Sequence, residues 1–496
     1  MMHSLKRLWN DRTLLVIILI ALLPRLVAVM YSKGYAMHDD HFGPIEPPFI
    51  VMHYQTAWTD RGGVFGQSFV YPALHYGLFN ALDAIGIEDP QTTMYIVRFI
   101  HAVYSLLIVF FGFKIAEVLS TREIARKVGL LLALFWALPF LSVRGLIEVV
   151  CIPPLMAGCY YILISEQRRR NAFIGGLCFG LAFVFRYQTL PFTGTLGLIL
   201  LFQKRVKDAI FVAGGFLLSA VLIQGTMDTF AWGYPFASFI EYVRYNSTHS
   251  LDYTTGPWYN YTLLVLGALI PPVSFFLLYG LFRNWRKTFL LLIPIVVFFV
   301  LHSSFPNKQE RFVLPVIPLI LVLSVIGWEE HAKSSVFWLR HQAAQKRLWI
   351  WFWIVNLALL IPFTTYYCKK TRVESLYSLY GKPVTALFQA GGKDGITQPP
   401  FFYCGKYPIP MVDISGDQKL KEVASRLATS SEHPNYMLLY GTDDYDHRLQ
   451  QIESQLHIKA ELEHRFDPSL LDYVFYRLNP RHNKNETIFV FKVSYQ

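Results

Sequence analysis

The chain has 496 residues, of which 53% are hydrophobic, 16% aromatic and only 16% charged, and its mean hydropathy is +0.34. Water-soluble domains carry about 25% charged residues, so this composition excludes an ordinary soluble protein and makes the bilayer the expected solvent. The formal net charge of +11 invites a nucleic-acid partner, but the basic residues lie in short clusters between apolar runs, which excludes nucleic acid and points to membrane orientation.

A membrane helix needs roughly 20 mostly apolar residues. By that criterion the sequence predicts about eleven spans, over 13–31, 95–119, 128–143, 149–165, 171–186, 191–203, 209–225, 261–282, 288–302, 312–328 and 348–367. Lys6, Arg7 and Arg12 precede the first run, and further basic clusters follow at Arg122 to Lys127, Arg168 to Arg170, Lys204 to Lys207, Arg283 to Lys287 and Arg340 to Arg347. They occupy every second connection, which sets the amino terminus in the cytoplasm and the carboxyl terminus outside. The first run has the basic flank of a signal peptide, yet its length, Pro24, Arg25 and lack of a small-residue cleavage site read as a retained helix.

Three outer segments are long enough to hold structure: 32–94, 226–260 and 368–496. The first mixes acids, aromatics and prolines as surface-lying amphipathic helices do. From Cys368 the composition changes. Turn signals at Gly391-Gly392, Pro399-Pro400 and Asp443-Asp444, an amphipathic stretch near Gln418 to Ala428, and β-rich runs Tyr436 to Tyr440 and Thr487 to Val493 predict a small soluble α/β domain. The expected division is a membrane domain over 1–367, roofed by the segments 32–94 and 226–260, and an outer domain over 368–496. Cys368 and Cys404 both fall outside the spans, where a disulfide and two free thiols are equally open. Gly176 and Gly180 form a small-xxx-small pair of the helix-packing kind.

The chemistry concentrates after the first span, in His38-Asp39-Asp40-His41 with Glu46 beyond. Neighbouring carboxylates raise one another's pKa, which is how one becomes a usable base. A solvated acidic loop and a divalent-metal site are the other readings of the same residues. Arg144 and Glu148, four apart, would share a face if helical. Arg186 ends the fifth span, and Lys308, Glu310 and Arg311 fill the short connection before the tenth. Each cation alone reads as a snorkelling anchor. Together, beside a carboxylate-rich loop, they suit a reaction with a phosphate leaving group.

In order along the chain, these residues resemble the polyprenyl- or dolichyl-phosphate-mannose-dependent mannosyltransferases of GPI-anchor and N-glycan assembly, glycosyltransferase family 22 of the GT-C superfamily. That family has an arginine in its first helix and then a His-Pro-Asp-Glu loop followed by an aromatic residue and a glutamate; Arg25, Asp39, Asp40, Phe42 and Glu46 fall on these, with Met37 and His38 replacing His-Pro. Tyr71-Pro72, Leu146-Ile147-Glu148 and Gly180 to Arg186 resemble its next three motifs, while Arg144 does not fall on the family arginine. Asp228, Pro235, Asn246 and Gly256-Pro257-Trp258-Tyr259 resemble its Asp, Asn and Pro-Trp outer segment. Asn307-Lys308-Gln309-Glu310-Arg311-Phe312 with Pro315 resembles its His-Lys-Glu-x-Arg-Phe motif, with Asn307 and Gln309 as departures.

The resemblance implies a polytopic α-helical GT-C fold and an inverting transfer of a sugar, mannose by analogy, from a polyprenyl-phosphate donor to a glycan or glycolipid acceptor at the outer face. It implies Asp39 as general base with Asp40 as fallback, Arg186, Lys308 and Arg311 on the donor phosphate, and Glu46, Glu148, Arg144, Asp228, Trp258 and Tyr259 around donor and acceptor. No cofactor is required; a divalent cation is compatible with the carboxylates. A bacterial inner membrane with a periplasmic site is the expected setting, or the endoplasmic reticulum in a eukaryote. The rival readings are a transporter or lipid flippase, a metal-dependent GT-C transferase with another donor, and a scaffold displaying the outer domain.

Overall fold

The computed structural model describes residues 12–54, 63–166, 168–249, 251–427, 433–480 and 483–496. Lys6, Arg7 and Ala428, named above, lie outside them. All of the expected spans coincide with a helix or a pair of helices, as hydrocarbon requires of a backbone that must satisfy its own N–H and C=O groups. Six helices are long and apolar enough to cross alone: Thr13–Tyr31, Pro90–Leu119, Val206–Trp232, Trp285–Ser304, Glu310–Ser334 and Gln342–Thr364. Ile147–Leu163, Arg170–Phe185 and Tyr187–Phe202 are shorter apolar helices. The run 261–282, expected as one span, is instead two helices, Asn260–Ala268 and Val273–Arg283, bent by 112°. The break holds Pro271-Pro272, which donate no backbone hydrogen bond and cannot continue a helix.

The chain forms two compact units. One comprises Met1–Val29, Ala57–Leu74 and Val97–Thr364, the other Met30–Thr56, His75–Ile96 and Thr365–Gln496. One boundary between them falls at Thr364, and the stretch 30–96 contributes to both, Met30–Thr56 and His75–Ile96 to the second and Ala57–Leu74 to the first.

In the helical unit, glycines set the closest approaches. Arg170–Phe185 lies against Val206–Ser219 so tightly that a β-carbon on Gly176 would overlap the Val212 carbonyl oxygen, and one on Gly180 would lie 2.6 Å from that of Phe216. Val273–Arg283 meets Ile317–Ser334 in the same way, Gly280 against Gly327. Buried polar side chains tie the helices further. Arg25 donates through Nε to Ser105 Oγ at 2.9 Å and through Nη1 to the carbonyls of Ala21 and Ala133. Asn356 accepts the Trp136 N–H and donates to the Leu134 carbonyl, bracing a helix end.

The second unit carries a five-stranded sheet of order β2-β1-β3-β5-β4, with β1 Leu387–Ala390, β2 Met411–Asp413, β3 Tyr436–Tyr440, β4 Ile458–Phe466 and β5 Ile488–Tyr495. β1 pairs parallel with β2 and β3, and β5 pairs antiparallel with β3 and β4. Helices Gly416–Leu427 and Tyr445–Leu456 bury Leu420, Ile452 and Leu456 on Phe388, Met437, Leu439, Phe489 and Phe491 of the sheet. The two β-rich runs read from the sequence are β3 and β5. The other three strands were not read there: β1 and β2 are too short to show a period, and β4 is mostly polar. Cys368 and Cys404 are separate, buried thiols.

Gly327→Ala is expected to destabilise the protein by about 1–3 kcal/mol, the cost of forcing volume into a filled contact, whereas Gly194→Ala, where a β-carbon would have nothing within 4 Å, should be neutral or slightly stabilising. Thermal melting in detergent checks both.

Candidate active site

The residues singled out by the sequence fall into two groups, one in each unit. In the mixed unit, the chain leaves the helix Thr13–Tyr31 and turns at Gly34, which bridges to Cys368 with φ +69°. A side chain there would overlap the Cys368 carbonyl oxygen, so only glycine fits. The acidic loop follows. Asp40 is 4% exposed and its Oδ2 accepts the Ala36 N–H at 2.8 Å, which folds the loop on itself. Asp39 points the other way: its side chain is 39% exposed and lies 3.5 Å from His38 Nδ1. That carboxylate raises the pKa of His38 above the ordinary imidazole value. His38 also stacks on Phe42 and shares a 2.9 Å hydrogen bond with Gln398.

Glu46 has a different job from the one expected of it. It is 5% exposed, and its Oε1 meets His41 Nε2 at 2.9 Å and accepts the Phe402 N–H at 3.0 Å. His41 is flanked by the parallel rings of Tyr35 and Tyr403 at 5.0 and 5.3 Å. Glu46 therefore clasps the acidic loop to the turn Phe401–Cys404 through Oε1. Among the described residues no group of three or more His, Cys, Asp or Glu is placed to hold a metal ion.

Two cations that sequence reasoning missed stand by this loop. Lys369 Nζ lies 4.5 Å from the centre of the Tyr35 ring; burial, then the like charge of Arg372, lowers its pKa to about 8, while Asp40 acts in the opposite sense. Burial raises Tyr35 to about 12, with Arg372 opposing. A signal was present: Lys369-Lys370-x-Arg372 is a basic cluster where the alternation of basic connections leads one to expect none.

In the helical unit, Glu148 gathers the arginines. It is 1% exposed and lies 3.1 Å from Arg186 Nη2 and 3.5 Å from Arg311 Nε. Neither carboxylate oxygen receives a hydrogen bond of good geometry, so these are ion pairs held by charge. Arg186 caps the end of Arg170–Phe185 in extended backbone and donates to Gln188 at 3.0 Å; Arg311 sits in the 3₁₀ turn Glu310–Val316 and donates to Gln309. The Phe312 ring lies 5.4 and 5.7 Å from the two guanidinium centres. Two buried cations on one carboxylate leave excess positive charge in a poorly solvated place.

The other expected residues are placed differently. Arg144 and Glu148 do not share a helix: Arg144 lies in a turn before the short helix Ile147–Val150, buried, with its guanidinium 4.6 Å from the Phe140 ring. Lys308 turns its ammonium to the protein's own main chain. Nζ donates to the carbonyls of His302, Ser303 and Phe305, capping Trp285–Ser304 and using all three protons. Asp228 is fully buried and accepts from Gln224, from the Ser238 hydroxyl and from the Ser238 N–H, so it starts the helix Ala237–Thr248. Trp258 and Tyr259 are 71% and 46% exposed.

The model of the Alg9-like mannosyltransferase family matches residues 12–385. No curated protein matches the chain. Among solved structures, ArnT from Cupriavidus metallidurans bound to undecaprenyl phosphate superposes with a TM-score of 0.55 at 11% identity, over 96% of this chain and 97% of that one. The Archaeoglobus fulgidus oligosaccharyltransferase, in complex with zinc and sulfate, gives 0.51 at 11% identity, over 92% of this chain and 72% of that one. At such identity the likeness is one of fold, and the fold is GT-C.

Glu148→Gln strips the buried arginines of their carboxylate and is expected to cost about 3–5 kcal/mol of stability; adding Arg186→Met should recover part of that loss, a non-additivity that a melting-temperature cycle reads directly. Lys369 gives a pH-dependent prediction. Its pKa falls from 10.5 to about 8 on folding, so between those values the unfolded chain binds more protons and stability rises with pH. Lys369→Met should therefore melt roughly 2–5 °C above the parent at neutral pH, with the gap closing above pH 8 and gone past 10.5.

Proposed function

Since this chain belongs to the Alg9-like mannosyltransferase family, we propose that it transfers a mannose from a polyprenyl-phosphate carrier to a hydroxyl of a lipid-linked glycan, with inversion, at the non-cytoplasmic face of its membrane. The observation that supports the reading is the difference within the acidic pair: Asp40 is buried and accepts a main-chain N–H, and the side chain of Asp39 beside it is 39% exposed next to His38. Support for the carrier comes from ArnT of the same fold, which is bound to undecaprenyl phosphate. Support for the face comes from the basic clusters at alternate connections.

In this mechanism the acceptor oxygen attacks the anomeric carbon from the side opposite the phosphate. Its proton passes to Asp39, the bond between the anomeric carbon and the phosphate oxygen breaks, and the departing polyprenyl phosphate carries away the electron pair. Arg186 and Arg311 neutralise the charge that grows on that phosphate, and their planar forks suit it better than a lysine would. Lys308, Asp228 and Glu46 act as braces for the segments that carry these groups. Trp258 and Tyr259 offer flat apolar faces to a sugar ring or to the lipid carrier.

Asp39→Asn is expected to lower the rate of transfer from polyprenyl-phosphate mannose on the order of a hundredfold or more, with the KM for the donor little changed, in purified protein whose melting temperature matches the parent's. Near-normal turnover in that variant would remove Asp39 as the base, and transfer from a nucleotide sugar alone would remove the carrier.

A further inference from the structure

The helix Leu470–Leu478 is capped by Ser469, whose hydroxyl accepts the Asp472 N–H. Leu470, Tyr473, Val474 and Leu478, spaced i, i+3, i+4 and i+8, form one face. They are 78%, 46%, 38% and 76% exposed. The opposite face is pinned by a polar residue: Asp472 is fully buried, and its carboxylate accepts the Tyr366 hydroxyl at 2.6 Å and the N–H groups of Lys369 and Lys370 at 3.1 and 3.2 Å. The apolar face is thus not a stray part of the sheet's core.

What Asp472 binds tells where the helix lies. The Tyr366 carbonyl accepts the Ser32 hydroxyl at 3.1 Å, and Ser32 directly follows the membrane helix Thr13–Tyr31, whose last residues Met30 and Tyr31 are 54% and 61% exposed. The Tyr366 ring also meets Phe475 at 5.7 Å. One buried carboxylate therefore fastens this helix to the point where the chain leaves the hydrocarbon. Within that face, near the carboxyl end of the helix, the Arg477 guanidinium lies 4.9 Å from the Tyr473 ring, a cation that can snorkel to lipid phosphates beside a phenol of the aromatic-belt kind.

We propose that Leu470–Leu478 is an interfacial membrane anchor: its apolar face sits among the acyl chains just below the headgroups, with Arg477 on a lipid phosphate. The partner is the lipid surface, and the anchor holds the sheet domain against the bilayer independently of the reaction assigned above.

The test uses full-length protein, one copy per lipid nanodisc of phosphatidylcholine and phosphatidylglycerol, with an environment-sensitive fluorescent amino acid at position 470 or 478. Position 422, on the exposed face of Gly416–Leu427, is the control. The expected result is quenching at 470 and 478 by lipid carrying a nitroxide at the roughly 5–10 Å depth of an interfacial helix, together with loss of quenching by aqueous iodide, and the reverse at 422. In a Leu470→Asp/Leu478→Asp chain reporting from position 473, iodide quenching should return while the protein stays monodisperse. Iodide quenching at 478 equal to that at 422 would overturn the proposal. Shielding seen only when several copies share one membrane would overturn it in favour of a second copy as the occupant.

Discussion

Hydrocarbon leaves a backbone no partner except itself, and the helical unit follows from that constraint. The packing is close in unbroken and broken helices alike, down to glycine on glycine at Gly280 and Gly327. Where a helix breaks, something answers for the freed groups. The chain interrupted at Pro271-Pro272 folds back at 112°, and the free carbonyls at the end of Trp285–Ser304 receive the Lys308 ammonium. A cation that resembled a substrate ligand is a helix cap for this reason.

The same poor solvation makes the Glu148 cluster costly and useful. Burying two guanidiniums against one carboxylate carries a desolvation penalty that the pairing only partly offsets. What remains is a preorganised cluster of positive charge, the feature the proposed mechanism uses on the leaving phosphate. The pair Arg186 and Arg311 is held by separate elements, a helix end and a 3₁₀ turn, and their shared contacts with Glu148 and Phe312 keep them in register.

In the mixed unit, buried carboxylates act as fasteners. Glu46 joins the acidic loop to Phe402 through a main-chain hydrogen bond, and Asp472 joins the helix Leu470–Leu478 to Tyr366, Lys369 and Lys370. Charged acceptors of main-chain N–H groups make strong, directional bonds, so each fixes the segment it holds. The sheet domain is thereby part of the scaffold of the acidic loop and not an appendage to it.

Much was legible in the residues alone. Apolar length, alternate basic clusters and β-rich runs determined the membrane class, the positions of the spans and a mixed domain after residue 365, because these are local properties of composition and period. The order of short motifs from Arg25 to Phe312 carried the family. The roles of single ionisable residues were not local. Whether Glu46, Asp228, Lys308 and Arg186 meet a substrate or the protein's own backbone depends on which carbonyl, amide or guanidinium the tertiary structure brings within 3 Å or so. Three of them were taken by the chain itself, and only packing across hundreds of residues could decide that, just as it placed Lys369, unforeseen, beside Tyr35.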